Sequence, residues 1–144
     1  MAIVMIQGPG DGQAQATPEA LRSALSERAQ AAGQELVHYR CSSEQQLVER
    51  LARIDRAQAD IVLLEPGDAA GPRTALHSTL EHLRVPYIEV HRDRPDRPDP
   101  VLPEAGPRLA LVSGYEAQGY TLAMSLALER LGCADSENEF NVGT

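Results

Sequence analysis

Short apolar runs alternate along this chain with longer stretches in which apolar residues recur every three or four positions. Such alternation is typical of a parallel sheet covered by helices, because strands buried on both faces are continuously apolar. The runs predicted to be strands are 2–6, 35–39, 61–64, 87–90 and 109–112. Five strands with intervening helices predict a flavodoxin-like α/β fold, a three-layer α/β/α sandwich around a five-stranded parallel sheet.

Punctuation residues mark the helices between these runs. Thr17 is a predicted N-cap with Pro18 at the first helical position, and Gly33 ends that helix. Ser42, followed three residues later by Gln45, predicts a capping box at the start of a second helix. Two further helices are predicted over 74–83 and 118–131.

Three segments interrupt the regular pattern. Residues 8–16 hold too many glycines and prolines for anything but a loop after the first strand. Residues 91–107 carry five prolines among alternating Arg and Asp, which predicts a surface excursion. The polar residues 135–144 predict a loose tail after a single domain over 1–134.

Composition removes several classes of function. The chain has 144 residues and a formal net charge of -8, so binding to nucleic acid or to an anionic membrane would need a local basic patch. Only the segment 92–97 offers one. All 13 basic residues are Arg and none is Lys, which excludes Schiff-base, pyridoxal and Walker-A chemistry.

Cysteine usage and hydropathy bear on the compartment. The two cysteines, Cys41 and Cys133, support neither a disulfide framework nor a cysteine-rich zinc site. No basic leader precedes an apolar run, and no run approaches 18 apolar residues. The sequence therefore predicts a cytoplasmic protein with no membrane partner and no cofactor.

The topology predicts where a site lies. Ligands of open α/β sheets bind beyond the carboxyl ends of the strands, near the loops after the first and third strands. His91 follows the fourth strand and is predicted to face the same crevice. The polar side chains expected to gather there are Gln7, Asp11, Glu65, Asp68, His91, Arg94 and Arg97.

Several of these features allow more than one interpretation. His91 suits a general acid or base, or a structural hydrogen bond, whereas His38, His77 and His82 are predicted to be structural. The acidic residues near Asp11 fit a magnesium site poorly, since the lysine that accompanies such sites in receiver domains is absent.

The loops and the aromatic residues leave similar choices. The loop 8–12 suits a tight turn more than a phosphate cradle. The arginines from Arg92 to Arg97 could clamp an anion or form a solvated loop. Tyr115 and Tyr120 could line the crevice or pack elsewhere.

Taken together, the loops resemble those of the type II 3-dehydroquinate dehydratases, from about residue 3 to 131. The matching motifs are Gln7-Gly8-Pro9 for N-G-P-N, Glu65-Pro66-Gly67 for N-P-G, 86–91 for P-x-x-E-V-H, and 114–120 for G-x-G-x-Q-G-Y. The resemblance implies a flavodoxin-like fold, a small-molecule substrate, and trimers that often assemble into dodecamers.

Few of the family's catalytic positions are retained. The loop 12–17 is too short to carry the family's Arg and its essential Tyr, and Gly10, Glu65, Gly71 and Asp93 replace family Asn, Asn, His and Ser. His91 alone matches outright, with Arg94 or Arg97 in place of the lid arginine. The replacements predict loss of ordinary dehydration, because base catalysis supplies about 10²–10⁴-fold and Glu65 would repel a substrate carboxylate.

Three functional hypotheses follow. The first is a cyclase of polyketide or macrolactone polyenes, of the [6+4]/Diels–Alder type, which needs an oriented conformer and a hydrogen bond rather than a base. The second is a dehydratase-like lyase that pairs His91 with Glu65 or Asp68. The third is a non-catalytic oligomeric binding protein. The predicted catalytic residues are His91, Tyr115 and Glu65, and the predicted substrate-binding residues are Met5, Gln7, Gly8, Pro9, Pro66, Gly67, Asp68, Arg94, Arg97 and Tyr120.

Overall fold

Parallel strands form the centre of the molecule and helices cover both faces. The structure, a computed structural model, describes residues 2–10, 18–67, 73–92, 102–115 and 118–132. Its elements are β1 (Ala2–Gln7), α1 (Glu19–Ala31), β2 (Glu35–Arg40), α2 (Glu44–Ala52), β3 (Ile61–Glu65), α3 (Thr74–Glu81), β4 (Tyr87–Val90), β5 (Arg108–Val112) and α4 (Gly119–Arg130). The sheet order is β2-β1-β3-β4-β5 with every pairing parallel, which confirms the flavodoxin-like prediction.

The strands match the apolar runs to within one residue at each end. All five residues of β3 and all four of β4 are buried, as expected for strands covered on both faces. In the register, Gln7 lies beside Glu65 on one side and Arg40 on the other. The ends of β1 and β3 therefore bring an amide and a carboxyl side chain together.

The second helix begins one residue later than predicted. Its N-cap is Ser43, whose hydroxyl accepts from the amide of Gln46 at 3.2 Å, whereas the sequence predicts Ser42 with Gln45. Ser42 instead donates its backbone N–H to Gln46 Oε1 at 2.8 Å. The doublets Ser42-Ser43 and Gln45-Gln46 permit either register, which explains the error. The first helix has Pro18 as its N-cap, and the predicted cap Thr17 lies outside the described residues.

The core is divided by the sheet into two apolar layers. Leu47, Leu51, Leu76 and Leu80 of α2 and α3 pack on one face. The other layer includes Leu25 and Ala29 of α1 and Tyr120, Met124 and Leu128 of α4. Because side chains alternate along a strand, neighbouring residues at one strand end serve different layers.

Two further predictions concern segments at the margins of this fold. The predicted tail, 135–144, lies outside the described residues, as does Cys133; Cys41 is a buried free thiol. Within the described ranges, none of the helices is both long enough and apolar enough to cross a membrane.

Candidate functional site

The loops after β1 and β3 pack directly against each other. The Gly8 amide donates to the Glu65 carbonyl at 2.7 Å, and a Cβ on Gly8 would lie 2.2 Å from the Pro66 carbonyl oxygen. Gly67 has φ +74°, and a Cβ there would lie 2.1 Å from the Pro9 carbonyl oxygen. These glycines permit the close approach of two backbones. The predicted turn over 8–12 stays a prediction, because residues 11 and 12 lie outside the described residues.

A buried hydrogen-bond network surrounds the carboxylate of Glu65. Gln7 Nε2 donates to Glu65 Oε1 at 2.9 Å and to the Tyr120 hydroxyl at 3.1 Å, and that hydroxyl donates to Glu65 Oε1 at 2.5 Å. Arg92 Nε donates to Glu65 Oε2 at 3.0 Å. The charge of Glu65 is therefore compensated within the chain, which weakens the repulsion of a substrate carboxylate that the sequence predicts.

His38 fixes the orientation of the Gln7 amide. His38 Nε2 lies 2.6 Å from Gln7 Oε1, and because that oxygen accepts, the nitrogen donates. Burial, reinforced by the positive charges of Arg22 and Arg40, lowers the pKa of His38 below 6.5. The sequence assigned His38 a structural role, and the structure places it at the edge of the candidate site.

The Tyr120 phenol stays protonated in this environment. Complete burial and then the adjacent Glu65 carboxylate raise the pKa of Tyr120 well above 10. The Arg92 guanidinium also lies over the Tyr120 ring, 5.6 Å from its centroid. The phenol is thus a hydrogen-bond donor rather than a base.

A second polar group occupies the opposite face of the sheet. His91 Nε2 lies 2.5 Å from Glu89 Oε2, and both side chains are at most 1% exposed. Arg108 Nη1 donates to Glu89 Oε1 at 3.1 Å, and the Leu102 amide donates to Glu89 Oε2 at 3.2 Å. An imidazole with an ionised carboxylate partner can exchange protons with a substrate.

The structure corrects the predicted pairing of His91 with Glu65, whereas the alternative partner, Asp68, lies outside the described residues. Glu65 follows Ile61 and Leu63, which face α1 and α4, whereas His91 follows Tyr87 and Glu89 on the face toward α2 and α3. The carboxylate partner of His91 is Glu89, and that of Arg92 is Glu65. Topology brings these residues to one edge of the sheet, but strand alternation separates their side chains.

Other predicted site residues have different surroundings. Met5 is fully buried in the layer under α1 and α4, so it packs in the core rather than lining a cavity. Tyr115 is 54% exposed, and Tyr120 is buried in the Glu65 network. The remaining predicted residues, Asp11, Asp68, Arg94 and Arg97, lie outside the described residues.

Sequence reasoning missed Glu89 and Arg92 as partners. The signal for Glu89 was present, since Glu89 and His91 are two residues apart on a strand and therefore share a face. Arg92 was treated only as part of an arginine series. Its ion pair with Glu65 depends on the β3–β4 neighbourhood, which one sequence does not reveal.

A cavity of about 340 Å³ lies between the start of α3 and the segment that begins at Leu102. It is lined by Arg73, Thr74, His77, Leu80, Leu102 and Pro103. Leu102 links it to the Glu89–His91 pair, because its backbone amide donates to Glu89. The volume lies in the range of pockets that hold small metabolites.

Arg73 shapes one wall of this cavity. Its guanidinium binds both oxygens of Glu44, at 3.0 and 2.7 Å, and donates to the carbonyls of Pro66 and Gly67. The turn after β3 is thereby tied to the start of α2. Among the described residues, no group of three His, Cys, Asp or Glu is arranged to hold a metal ion.

Comparison with known proteins identifies the family of this chain. The family model described as dehydroquinase class II matches residues 11–128, which is most of the chain. The chain belongs to this family. A 3-dehydroquinate dehydratase of Stutzerimonas stutzeri is 30% identical over 113 residues, covering 76% of this chain and 77% of the relative. That of Vibrio vulnificus is 29% identical over 129 residues, covering 88% and 85%.

Solved structures of dehydroquinase relatives share the fold. A 3-dehydroquinate dehydratase-like protein from Bifidobacterium longum superposes with a TM-score of 0.67 at 19% identity, covering 91% of this chain and 98% of that one. The type II dehydroquinase of Propionibacterium acnes also gives 0.67, at 20% identity, covering 87% and 96%. These structures therefore share the flavodoxin-like fold over most of this chain.

Proposed function

We propose that this class II dehydroquinase family member is a carbon–oxygen lyase that eliminates water from a small hydroxylated substrate. The observation that carries the proposal is the Glu89–His91 pair, buried at the carboxyl end of β4. His91 is also the position that matches the family motif outright. The relatives named above are 3-dehydroquinate dehydratases, which supports this chemistry for the present chain.

The pair suits the departure of a hydroxyl group. Elimination of water needs a proton on the leaving oxygen, and an imidazole titrates in the range where it can donate one. Glu89 orients the ring and stabilises its protonated form, as a carboxylate does for a catalytic histidine elsewhere. His91 is therefore assigned to the leaving hydroxyl.

Removal of the carbon-bound proton needs a separate base. Glu65 does not suit this role, because its carboxylate oxygens already accept hydrogen bonds from Gln7, Tyr120 and Arg92. Asp68, three residues beyond Glu65 in the sequence, is the proposed base. We expect Asp68→Asn to lower kcat with little change in KM.

The charge pattern bears on the substrate. Arg73, Arg92 and Arg108 each bind a carboxylate of this chain, Glu44, Glu65 and Glu89 respectively. A substrate carboxylate would need further donors, and Arg94 and Arg97 are the proposed ones. We expect Arg94→Gln and Arg97→Gln to raise KM for an anionic substrate.

The lyase has better support than the other two hypotheses. The relatives' names include dehydratases, and nothing in the described geometry favours a polyene substrate. The cyclase and the non-catalytic binding protein stay predictions, distinguished from the lyase by the assay below.

The test is an ultraviolet assay of the purified full chain with 3-dehydroquinate, which follows the conjugated enone of the dehydrated product. Wild type should turn the substrate over, and His91→Gln should lower kcat by about 10²-fold or more. His82→Gln, a change at the exposed histidine that caps the carboxyl end of α3, is the matched control and should retain wild-type rates. No turnover by wild type at high enzyme concentration would contradict dehydration of this substrate.

A further inference from the structure

We propose that Arg108 is a positioning residue that fixes the proton of His91 on Nε2 through the carboxylate of Glu89. The inference rests on the proposed function only for its effect on turnover. The contacts of Arg108 with Glu89 and of Glu89 with His91 do not depend on which reaction the protein catalyses. Arg108 acts on His91 through Glu89, since its Nη1 donates to Glu89 Oε1 at 3.1 Å and to the Leu102 carbonyl oxygen at 3.3 Å.

A β-bulge directs the Arg108 side chain to this face. Tyr87 pairs with Arg108 and Ile88 pairs with Ala110, so Leu109 is an extra residue in β5. Simple alternation back from Val112 would place Arg108 on the α4 face, where Ala110 and Val112 pack. The bulge instead sets Arg108 beside Tyr87, on the face that carries Glu89.

Each partner of Glu89 requires it to accept. The Arg108 guanidinium and the Leu102 amide are donors only, and they reach Oε1 and Oε2 respectively. The ionised carboxylate can then accept at Oε2 from His91 only if His91 Nε2 carries a proton. Arg108 balances the carboxylate's charge in a setting where Glu89 is fully buried.

The fixed tautomer has a chemical consequence. With the proton on Nε2, the neutral ring presents Nδ1 as its bare nitrogen, and no hydrogen bond engages Nδ1 within the described residues. Nδ1 is thus the atom that takes up and delivers the proton in turnover. Loss of Arg108 weakens the hold on Glu89 and allows the proton of His91 to occupy either nitrogen.

The first test needs no variant. Proton–nitrogen NMR spectra of the full wild-type chain with isotope-labelled histidine report which ring nitrogen carries the proton. The His91 signals are assigned by their absence from His91→Gln. We expect the Nε2-protonated form to dominate, and a dominant Nδ1-protonated form in wild type would overturn the proposal.

Variants then test the part played by Arg108. In Arg108→Gln, the His91 signals should shift to a mixture of tautomers, and Arg108→Lys should restore most of the Nε2-protonated form because it keeps the cation. Arg28→Gln is the matched control, since Arg28 joins α1 to α4 on the other face. A wild-type His91 spectrum in Arg108→Gln would overturn the positioning role, whether or not the chain is a lyase.

Steady-state kinetics of the Arg108 variants test whether the position of the His91 proton affects turnover. If the lyase proposal holds, Arg108→Gln should lower kcat about tenfold with KM changed by less than about twofold, and Arg108→Lys should recover most of the rate. A rise in KM alone would contradict a role in orienting His91. Failure of wild type to turn over substrate would count against the lyase while leaving the NMR test decisive for Arg108.

Discussion

Among single residues, Glu65 and Arg92 form an ion pair at the edge of the core. The Arg92 side chain is 9% exposed and its Nε donates to Glu65 Oε2. Removal of one member of such a pair leaves a poorly solvated charge, which costs more than the pair contributes when intact. Replacement of either Glu65 or Arg92 alone should therefore lower the free energy of unfolding.

We expect Glu65→Gln to lower the free energy of unfolding by about 2 kcal/mol, because the Arg92 cation loses its counter-charge. Urea denaturation measures this. The double variant Glu65→Gln/Arg92→Gln should lose less than the sum of the two single changes. Strictly additive losses would show that the two side chains are not coupled.

His38 gives a residue-scale prediction for pH. Its pKa is lowered in the folded chain, chiefly by burial, so the unfolded chain takes up this proton first as the pH falls. The contribution of His38 to the free energy of unfolding is therefore complete above pH 6.5. It is lost progressively below pH 6.5, because protonation of His38 then favours the unfolded chain. We expect a smaller loss of stability on acidification in His38→Gln, measured by urea unfolding across this range. An unchanged pH dependence would contradict the assigned proton linkage.

Close packing of the loops after β1 and β3 is the main constraint at the scale of elements. Gly67 and Gly33 both have positive φ, +74° and +78°, but only Gly67 lies against another backbone. Gly33→Ala therefore measures only the cost of a positive φ in a residue with a side chain. Gly67→Ala adds the cost of the clash between the new Cβ and the Pro9 backbone.

We expect Gly33→Ala to cost about 1 kcal/mol and Gly67→Ala to cost at least about 2 kcal/mol more. Thermal or urea unfolding of the two variants measures the difference. Equal costs would contradict the close approach of Pro9 to Gly67.

The elements also show what the sequence could predict. The β3 and β4 runs are apolar because both faces are buried, so their positions and the fold class followed directly from the pattern. The partner of His91 did not follow from the topology, which brings Glu65 and His91 to the same edge of the sheet; strand alternation places Glu89, two residues before His91, on the face of His91. The bulge at Leu109 has no local sequence signal, so the contact of Arg108 with Glu89 required the structure.

The whole molecule combines a family scaffold with charges arranged differently from the family's motifs. Glu65 stands where the motif has Asn, and its charge is compensated by Arg92 within the same chain. The scaffold could be predicted because it depends on the apolar pattern. The site's electrostatics could not, because they depend on which side chains meet across strands.

The resemblance to the type II 3-dehydroquinate dehydratases predicts that the chain forms trimers. We expect light scattering of the purified chain to give about three times its mass of 15.6 kDa, or a multiple of that trimer. A monomer at assay concentrations would contradict the predicted assembly.

The most direct test of whether Glu89 or Glu65 is the functional partner of His91 compares variants of both residues in one assay. We would measure kcat/KM for 3-dehydroquinate in wild type, Glu89→Gln and Glu65→Gln, each verified as folded. We expect a loss of about 10²-fold in Glu89→Gln and at most about tenfold in Glu65→Gln, because Glu89 binds His91 and Glu65 binds Arg92. A large loss in Glu65→Gln together with near wild-type turnover in Glu89→Gln would contradict the assignment of Glu89 as that partner.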